Sequence, residues 1–117
     1  MSLPTLFGIP NCDTVRKARK WLEGYGIAHD FVDLRENTPP SHQIEVWLAT
    51  LGADRLINRR STTHKQLDDS QRASLDSDSA VSALRQHPTL IKRPVLEWQQ
   101  NLLVGFSEQE YAELFNV

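Results

Sequence analysis

Residues 3–18 read LPTLFGIPNCDTVRKA, and their pattern predicts that the chain passes from a strand into a helix. The apolar run from Leu3 to Ile9 ends at Pro10-Asn11, which is typical of a buried strand that stops at a turn. Apolar residues then recur at helical spacing, so a helix is expected to follow at once. The chain's single cysteine, Cys12, lies at this junction.

The first helix and the strand after it carry separate signals. Gly26 stands where a left-handed helix cap is wanted, and the loosely alternating segment from Ile27 to Leu34 predicts a second strand. The apolar face of the helix is expected to consist of Val15, Ala18, Leu22 and Tyr25.

The middle of the chain predicts further helices. Ser41, which follows Pro39-Pro40, is placed to cap the second helix. Residues 53–79 are expected to form short helical pieces and loops, and residues 79–86 a helix that ends before Pro88. The apolar stripe of the second helix consists of Ile44, Trp47, Leu48 and Leu51.

The C-terminal region predicts a hairpin and a last helix. Two strands, Pro94–Trp98 and Leu102–Gly105, are separated by a Gln-Gln-Asn turn. Ser107 and Glu110 then have the spacing of a capping box. The residues expected to pack the last helix onto the sheet are Tyr111, Leu114 and Phe115.

The order of these elements predicts the fold class. A strand–helix–strand unit followed by helices, a hairpin and a helix indicates an α/β fold of the thioredoxin-like type, with a four-stranded mixed sheet flanked by helices. Because no repeat or linker divides the chain, one domain over residues 1–117 is expected.

Composition excludes several classes of function. Thirteen Lys and Arg against fifteen Asp and Glu give a net charge of −2, which argues against a protein that coats nucleic acid or an anionic membrane. No apolar run approaches the length of a spanning helix, and the N-terminus lacks a secretory signal, so the cytoplasm is the expected compartment. One cysteine excludes an internal disulfide. The four histidines have no metal-ligand spacing, so no metal is expected.

The position of Cys12 suggests a nucleophile. Free amides at a helix N-terminus and the helix dipole both favour thiolate over thiol. Arg16, one turn later, would add a full positive charge, and Thr14 offers a hydroxyl to the sulfur or to a bound oxyanion. The alternative is a structural cysteine that behaves as a small buried hydrophobe.

Three groups of residues resemble the arsenate reductase-like family (ArsC/Spx/YffB), and most closely its YffB-type branch. They stand in the family's order and cover nearly the whole chain. They are Ile9-Pro10-Asn11-Cys12-Asp13-Thr14-Val15-Arg16-Lys17-Ala18, Asn58-Arg59-Arg60-Ser61-Thr62-Thr63, and Leu90-Ile91-Lys92-Arg93-Pro94-Val95-Leu96 with Leu103-Val104-Gly105-Phe106.

This resemblance implies a set of site residues. Cys12 would attack an oxyanion or a disulfide, while Arg60 and Arg93 would neutralise the ligand through paired hydrogen bonds. Arg59 competes for the role of Arg60. The alternative for the two basic pairs, Arg59-Arg60 and Lys92-Arg93, is that they are solvated surface residues, and Arg59 and Lys92 stay close to this alternative. Pro94 matches the family's cis-proline, which leaves the preceding backbone free to pair with an extended ligand.

Two positions depart from the family. Spx-type regulators commonly carry a second cysteine where this chain has Val15, so a CxxC switch within the chain is impossible. Glutaredoxin-linked arsenate reductases carry an arginine just after the hairpin's glycine, where this chain has Phe106. The preferred substrate is therefore expected to differ from arsenate.

The resemblance implies a glutathione-dependent thiol reductase, with arsenate reductase as a narrower version. No cofactor is expected to be bound; glutathione is the co-substrate, and glutathione or glutaredoxin releases the product from Cys12. The alternative is an Spx-like regulator that binds RNA polymerase without catalysis. A plain folded domain with a structural cysteine is the third possibility.

Overall fold

The computed structural model describes residues 3–117. It contains two compact units, the first formed by the residues up to Asp33 together with Arg93–Val117 and the second by Leu34–Lys92. The strands are β1 Thr5–Gly8, β2 Asp30–Asp33, β3 Val95–Trp98 and β4 Asn101–Val104. The helices are α1 Asp13–Gly24, α2 Ser41–Leu51, α3 Ala53–Leu56, α4 Thr62–Gln66, α5 Asp69–Ser74, α6 Ala80–Gln86 and α7 Glu108–Phe115, and Pro88–Leu90 forms a 3-10 turn.

The first unit holds the sheet, whose strand order is β2-β1-β3-β4. Strands β1 and β2 pair in parallel, whereas β1 with β3 and β3 with β4 pair antiparallel. The four-stranded mixed sheet of thioredoxin-like type is therefore confirmed. The first strand is shorter than predicted, because it begins at Thr5 and leaves Leu3 46% exposed.

The core of this unit lies between the sheet and its two helices. Its fully buried members are Leu6, Val15, Ala18, Leu22, Leu96 and Tyr111. The predicted apolar face of α1 is confirmed except at Tyr25, which is 56% exposed. Tyr25 forms the C-cap after the last helical residue, so its ring leaves the buried stripe and lies against Trp21, with ring centroids 4.5 Å apart.

Gly26 terminates α1 as predicted. Its φ of 67° is left-handed, and its amide donates to the Glu23 carbonyl at 3.0 Å while the Ile27 amide donates to the Leu22 carbonyl at 2.9 Å. These two bonds form a Schellman motif, which satisfies carbonyls that the end of the helix leaves open.

The hairpin turn differs from the prediction. Trp98 pairs directly with Asn101, so the turn contains two residues rather than three and Asn101 belongs to β4. Gln99 is the first of the two turn residues and has a left-handed φ of 57°. At the start of α7, the Ser107 hydroxyl accepts from the Glu110 amide at 3.3 Å, which is the first of the two bonds expected of a capping box.

The second unit is built from α2 to α6. The N-cap of α2 is Pro40 rather than Ser41, because the Pro40 carbonyl accepts from the amides of Gln43 and Ile44, and its extended ψ of 161° leads into the helix. Short helices follow as predicted, and Asp68 and Gln71 form a capping box at α5 that the sequence analysis missed. The apolar stripe of α2 is buried at Ile44, Trp47 and Leu51, and half-buried at Leu48.

Within residues 3–117, no helix combines the length and the apolar character needed to cross a bilayer. The expectation of one domain over residues 1–117 stays a prediction.

Candidate functional site

Cys12 forms the junction between β1 and α1. It is the N-cap of α1, with φ −103° and ψ 125°, and its carbonyl accepts the first helical hydrogen bond from the Arg16 amide at 3.0 Å. Its thiol is free and half-buried, and it packs against the edge of the core. No amide of the first turn donates to the sulfur. The Cys12 thiol is therefore in contact with solvent, and its backbone is held in a fixed conformation. It lies at the positive end of a twelve-residue helix.

Sheet register brings the other predicted residues of this unit to the same end of the sheet. Phe7, near the end of β1, pairs with Val95 at the start of β3, and Val95 pairs with Val104 at the end of β4. The segments just beyond these paired residues therefore lie at one end. They are Ile9–Cys12, Arg93-Pro94 and Gly105-Phe106.

The Arg93–Pro94 peptide bond is cis, as the resemblance implied. Pro94 is buried, and its carbonyl accepts from the Gly105 amide at 2.9 Å, which joins the start of β3 to the end of β4. Arg93 is half-buried, and the Nε atom of its guanidinium is out of contact with solvent. Arg93 is thus a cation held in place beside the sheet rather than a freely solvated side chain.

Thr14 and Arg16 lie in the first turn of α1, and both are exposed. The Arg16 guanidinium forms an ion pair with the Asp13 carboxylate at 2.7 Å. This carboxylate offsets much of the positive charge that Arg16 was expected to add beside Cys12. The sequence analysis missed the pair, although its i,i+3 spacing on a helix was a readable signal.

Arg59 and Arg60 belong to the second unit and differ in their partners. Arg59 forms ion pairs with Asp76 at 2.8 Å and with Asp54 at 3.8 Å. Arg60 is exposed, and its guanidinium forms no ion pair with any residue between 3 and 117. Its amide donates to the Asn58 side-chain oxygen at 3.0 Å, which shapes the turn that carries it. Of the two arginines, Arg60 is the one whose charge is available to a ligand.

These arginines line a basic cleft of about 550 Å³ within the second unit. Lys92 lines it as well, although the sequence analysis left Lys92 as a surface residue. Three cations against one carboxylate favour an anionic ligand. The complete lining is Asp54, Ile57, Asn58, Arg59, Arg60 and Lys92.

Among the residues from 3 onward, no group of three or more His, Cys, Asp or Glu side chains is arranged to hold a metal ion. Cys12 supplies a free, half-buried thiol, and Arg93 supplies a guanidinium group at the same end of the sheet.

Comparisons with known proteins match the chain, over residues 7–114, to the family model described as the ArsC family. An uncharacterized protein of Haemophilus influenzae is 42% identical over 111 residues, which cover 95% of this chain and 97% of that protein. The global transcriptional regulator Spx of Listeria innocua is 30% identical, over 91% of this chain and 82% of its own. The solved structure of the YFFB (PA3664) protein superposes with a TM-score of 0.89 at 39% identity and covers 94% of this chain and 96% of its own.

Proposed function

The chain belongs to the ArsC family, and we propose from this membership that it is a glutathione-dependent thiol oxidoreductase whose nucleophile is Cys12. The observation that carries the proposal is the sheet register, which places Cys12 and Arg93-Pro94 at one end of the sheet. A half-buried thiol at a helix N-cap is accessible enough to react and is held in a fixed position.

The proposed reaction has two steps. The Cys12 thiolate attacks one sulfur of a substrate disulfide, a bond forms between these two sulfurs, and the other substrate sulfur leaves as a thiolate. A glutathione thiolate then attacks the mixed disulfide and releases Cys12, so that the substrate sulfur ends in a disulfide with glutathione. Because Cys12 is the only cysteine, the second step needs an external thiol, either glutathione itself or glutaredoxin.

Arg93 is proposed to hold a carboxylate of glutathione or of the substrate, and Thr14 to donate to a bound oxygen. The proposed role of Arg16 is weaker, since Asp13 shares its charge. Arg60 is retained as a separate anion ligand because it lacks the ion pairs that occupy Arg59. A small oxyanion such as arsenate is the less favoured substrate, because Phe106 stands where the family's additional arginine would stabilise it.

Mass spectrometry after incubation with oxidised glutathione tests the nucleophile. One glutathione adduct per chain is expected, and none on the Cys12→Ser variant. Reduction of a small disulfide by glutathione should require Cys12 as well. A wild-type chain that stays unmodified, or a Cys12→Ser variant that keeps full activity, would overturn the proposal.

The two adjacent arginines provide a matched pair of variants. Arg60→Ala should weaken the binding of glutathione, an anion, to the basic cleft by about tenfold or more, the usual effect of losing a hydrogen bond to a charged ligand group. Arg59→Ala should change this binding little, because this side chain is already paired with carboxylates. Equal losses in the two variants would remove the proposed distinction between them.

A second candidate function is transcriptional regulation through binding to RNA polymerase, and the similarity to Spx favours it. Recovery of polymerase subunits on the immobilised chain from a lysate of its native host, undiminished by Cys12→Ser, is the expected result for a regulator. Disulfide turnover that depends on Cys12, without such binding, would favour the enzyme.

A further inference from the structure

A second cleft, of about 320 Å³, lies on the first unit and is formed by α1 and the residues around the start of α7. Two half-buried aromatic rings line it, those of Trp21 and Phe106. Its remaining lining residues are exposed and charged, and they are Lys17, Lys20 and Glu108. The cleft therefore combines an aromatic surface with two cations and one anion.

The aromatic surface is supported from beneath by Tyr111. This fully buried ring meets Trp21 edge-on, with centroids 5.6 Å apart, and meets Phe106 edge-on at 4.9 Å. Such edge-to-face contacts are favourable and directional, so both rings are fixed before any ligand binds. The cleft is a preformed site for a flat or bulky apolar group.

The lysines determine which apolar group the cleft favours. Neither Lys17 nor Lys20 forms an ion pair within residues 3–117, and Glu108 forms none there either. The net charge of the lining is therefore positive. A ring that carries a carboxylate suits this lining better than a neutral or cationic ring does.

Phe106, which lines the cleft, lies at the same end of the sheet as the Cys12 thiol. This residue follows β4 at the end of the sheet where Cys12 follows β1, and Phe106 and Cys12 pack against the same core cluster. Phe106 therefore supplies an aromatic wall at the end of the sheet where Cys12 lies.

We propose that this cleft is a substrate subsite for an aromatic or bulky apolar group that carries a carboxylate and is attached to the disulfide that Cys12 attacks. The covalent step is the disulfide exchange described above, so the substrate role rests on the proposed function. The binding preference rests on the cleft alone, and the two are tested separately.

Binding is measured on the Cys12→Ser chain, which cannot form a mixed disulfide. Titration with 2-nitrobenzoate, followed by the NMR chemical shift of the Trp21 indole N–H, should saturate, whereas nitrobenzene should bind more weakly. Lys17→Gln with Lys20→Gln should weaken 2-nitrobenzoate binding by about three- to tenfold, the scale expected for exposed charges. Lys65→Gln, which removes a lysine of α4, should leave binding unchanged.

Phe106→Leu keeps an apolar side chain but removes the ring, so it should weaken the binding of 2-nitrobenzoate and nitrobenzene alike. Absence of saturable binding to the Cys12→Ser chain, or binding that is indifferent to both the lysine and the Phe106 changes, would overturn the proposed ligand class.

The substrate role is measured on the wild-type thiol with two aromatic disulfides. One is 5,5′-dithiobis(2-nitrobenzoate), which carries carboxylates, and the other is 4,4′-dithiodipyridine, which is uncharged at neutral pH. The ratio of their second-order rate constants should fall by about three- to tenfold in the double lysine variant and stay unchanged in Lys65→Gln. An unchanged ratio in the double variant would overturn the substrate role.

The binding titration and the rate measurement distinguish failure of the proposed function from failure of the proposed subsite. A thiol inert to both disulfides would refute the proposed function and the substrate role with it, while the titration of Cys12→Ser would still decide which ligand the cleft takes. A reactive thiol with no binding of 2-nitrobenzoate to the cleft would refute only this inference.

Discussion

Gly8 and Val15 approach each other so closely that a Cβ atom on Gly8 would lie 2.6 Å from Cγ2 of Val15 and 3.2 Å from Cγ1. Gly8 ends β1, and Val15 is a fully buried residue in the first turn of α1. The approach is possible because glycine lacks a side chain. It fixes the start of the helix, and hence Cys12, against the end of the strand.

Gly8→Ala should lower the free energy of unfolding by about 1–3 kcal/mol, because Val15 is β-branched and has little rotamer freedom with which to yield. Urea denaturation measures the change. Because Val15→Ala removes the two methyl groups that the new Cβ would meet, the double variant should lose less stability than the two single changes added together. Gly24→Ala is the control, since its added Cβ meets no atom within 4 Å, and it should be neutral or stabilising. Equal effects at positions 8 and 24 would contradict the packing argument.

Val15→Cys should give the chain a resolving thiol, since Cys12 is the N-cap of α1 and position 15 lies three residues later on the core side. Treated with 5,5′-dithiobis(2-nitrobenzoate), the wild-type chain should release one thionitrobenzoate and retain a second as an adduct on Cys12. The variant should release two and retain none, because the new thiol displaces the adduct and closes a disulfide. Mass spectrometry distinguishes this outcome from two separate adducts, which would count against the predicted proximity; Val15→Ala serves as the control.

Gln99→Gly should stabilise the hairpin. Gln99 has a left-handed φ of 57°, a region that costs an L-residue about 1–2 kcal/mol and glycine almost nothing. Part of that gain is lost to the greater freedom of glycine in the unfolded chain, so we expect the free energy of unfolding to rise by about 0.5–1 kcal/mol. Gln100→Gly is the neighbouring control and should not stabilise. A loss of stability in Gln99→Gly would show that the Gln99 side chain contributes more than its backbone strain costs.

Tyr111→Phe should leave the free energy of unfolding at neutral pH unchanged or raise it by up to about 2 kcal/mol. The Tyr111 hydroxyl is buried and has no hydrogen-bond partner among residues 3–117, so its removal relieves an unsatisfied polar group. Thermal and urea unfolding both measure this change.

The same substitution should alter the response to alkaline pH. Burial, with a smaller contribution from the Glu110 carboxylate, raises the pKa of Tyr111 well above its usual value of about 10. The folded chain therefore holds this proton at a pH where the unfolded chain releases it, and stability should fall as pH rises above about 10. The difference between wild type and Tyr111→Phe should grow over that range. Tyr25→Phe is the exposed control, and an equal response in both variants would contradict the assignment to Tyr111.

Local signals in the sequence were sufficient to predict most of the secondary structure of the first unit. The spacing of Val15, Ala18 and Leu22 predicted the buried face of α1, and Gly26 predicted its end, because each signal acts within a few residues. The start of α2 was misplaced by one residue. Pro40 and Ser41 are both compatible with a helix start, and the choice depends on backbone angles and on hydrogen bonds to the Pro40 carbonyl.

The features of the site that depend on contacts between distant parts of the chain could not be predicted from sequence patterns. The position of Cys12 between a strand and a helix was visible, but the cleft that joins Lys17 and Trp21 to Phe106 depends on how α1 meets a distant part of the chain. The difference between Arg59 and Arg60 was equally hidden, since it depends on Asp76, which pairs with only one of them.

The strand register has a consequence for how the chain is made. Thr5 on β1 pairs with Glu97 on β3, so β1 acquires its antiparallel neighbour only after the whole of the second unit has been translated. Until then, the nascent chain carries β1, α1 and β2 without the later strands and helix that bury their apolar face. Because pairing across so long a stretch of chain closes slowly, assembly of the sheet around Cys12 should be a late event in folding.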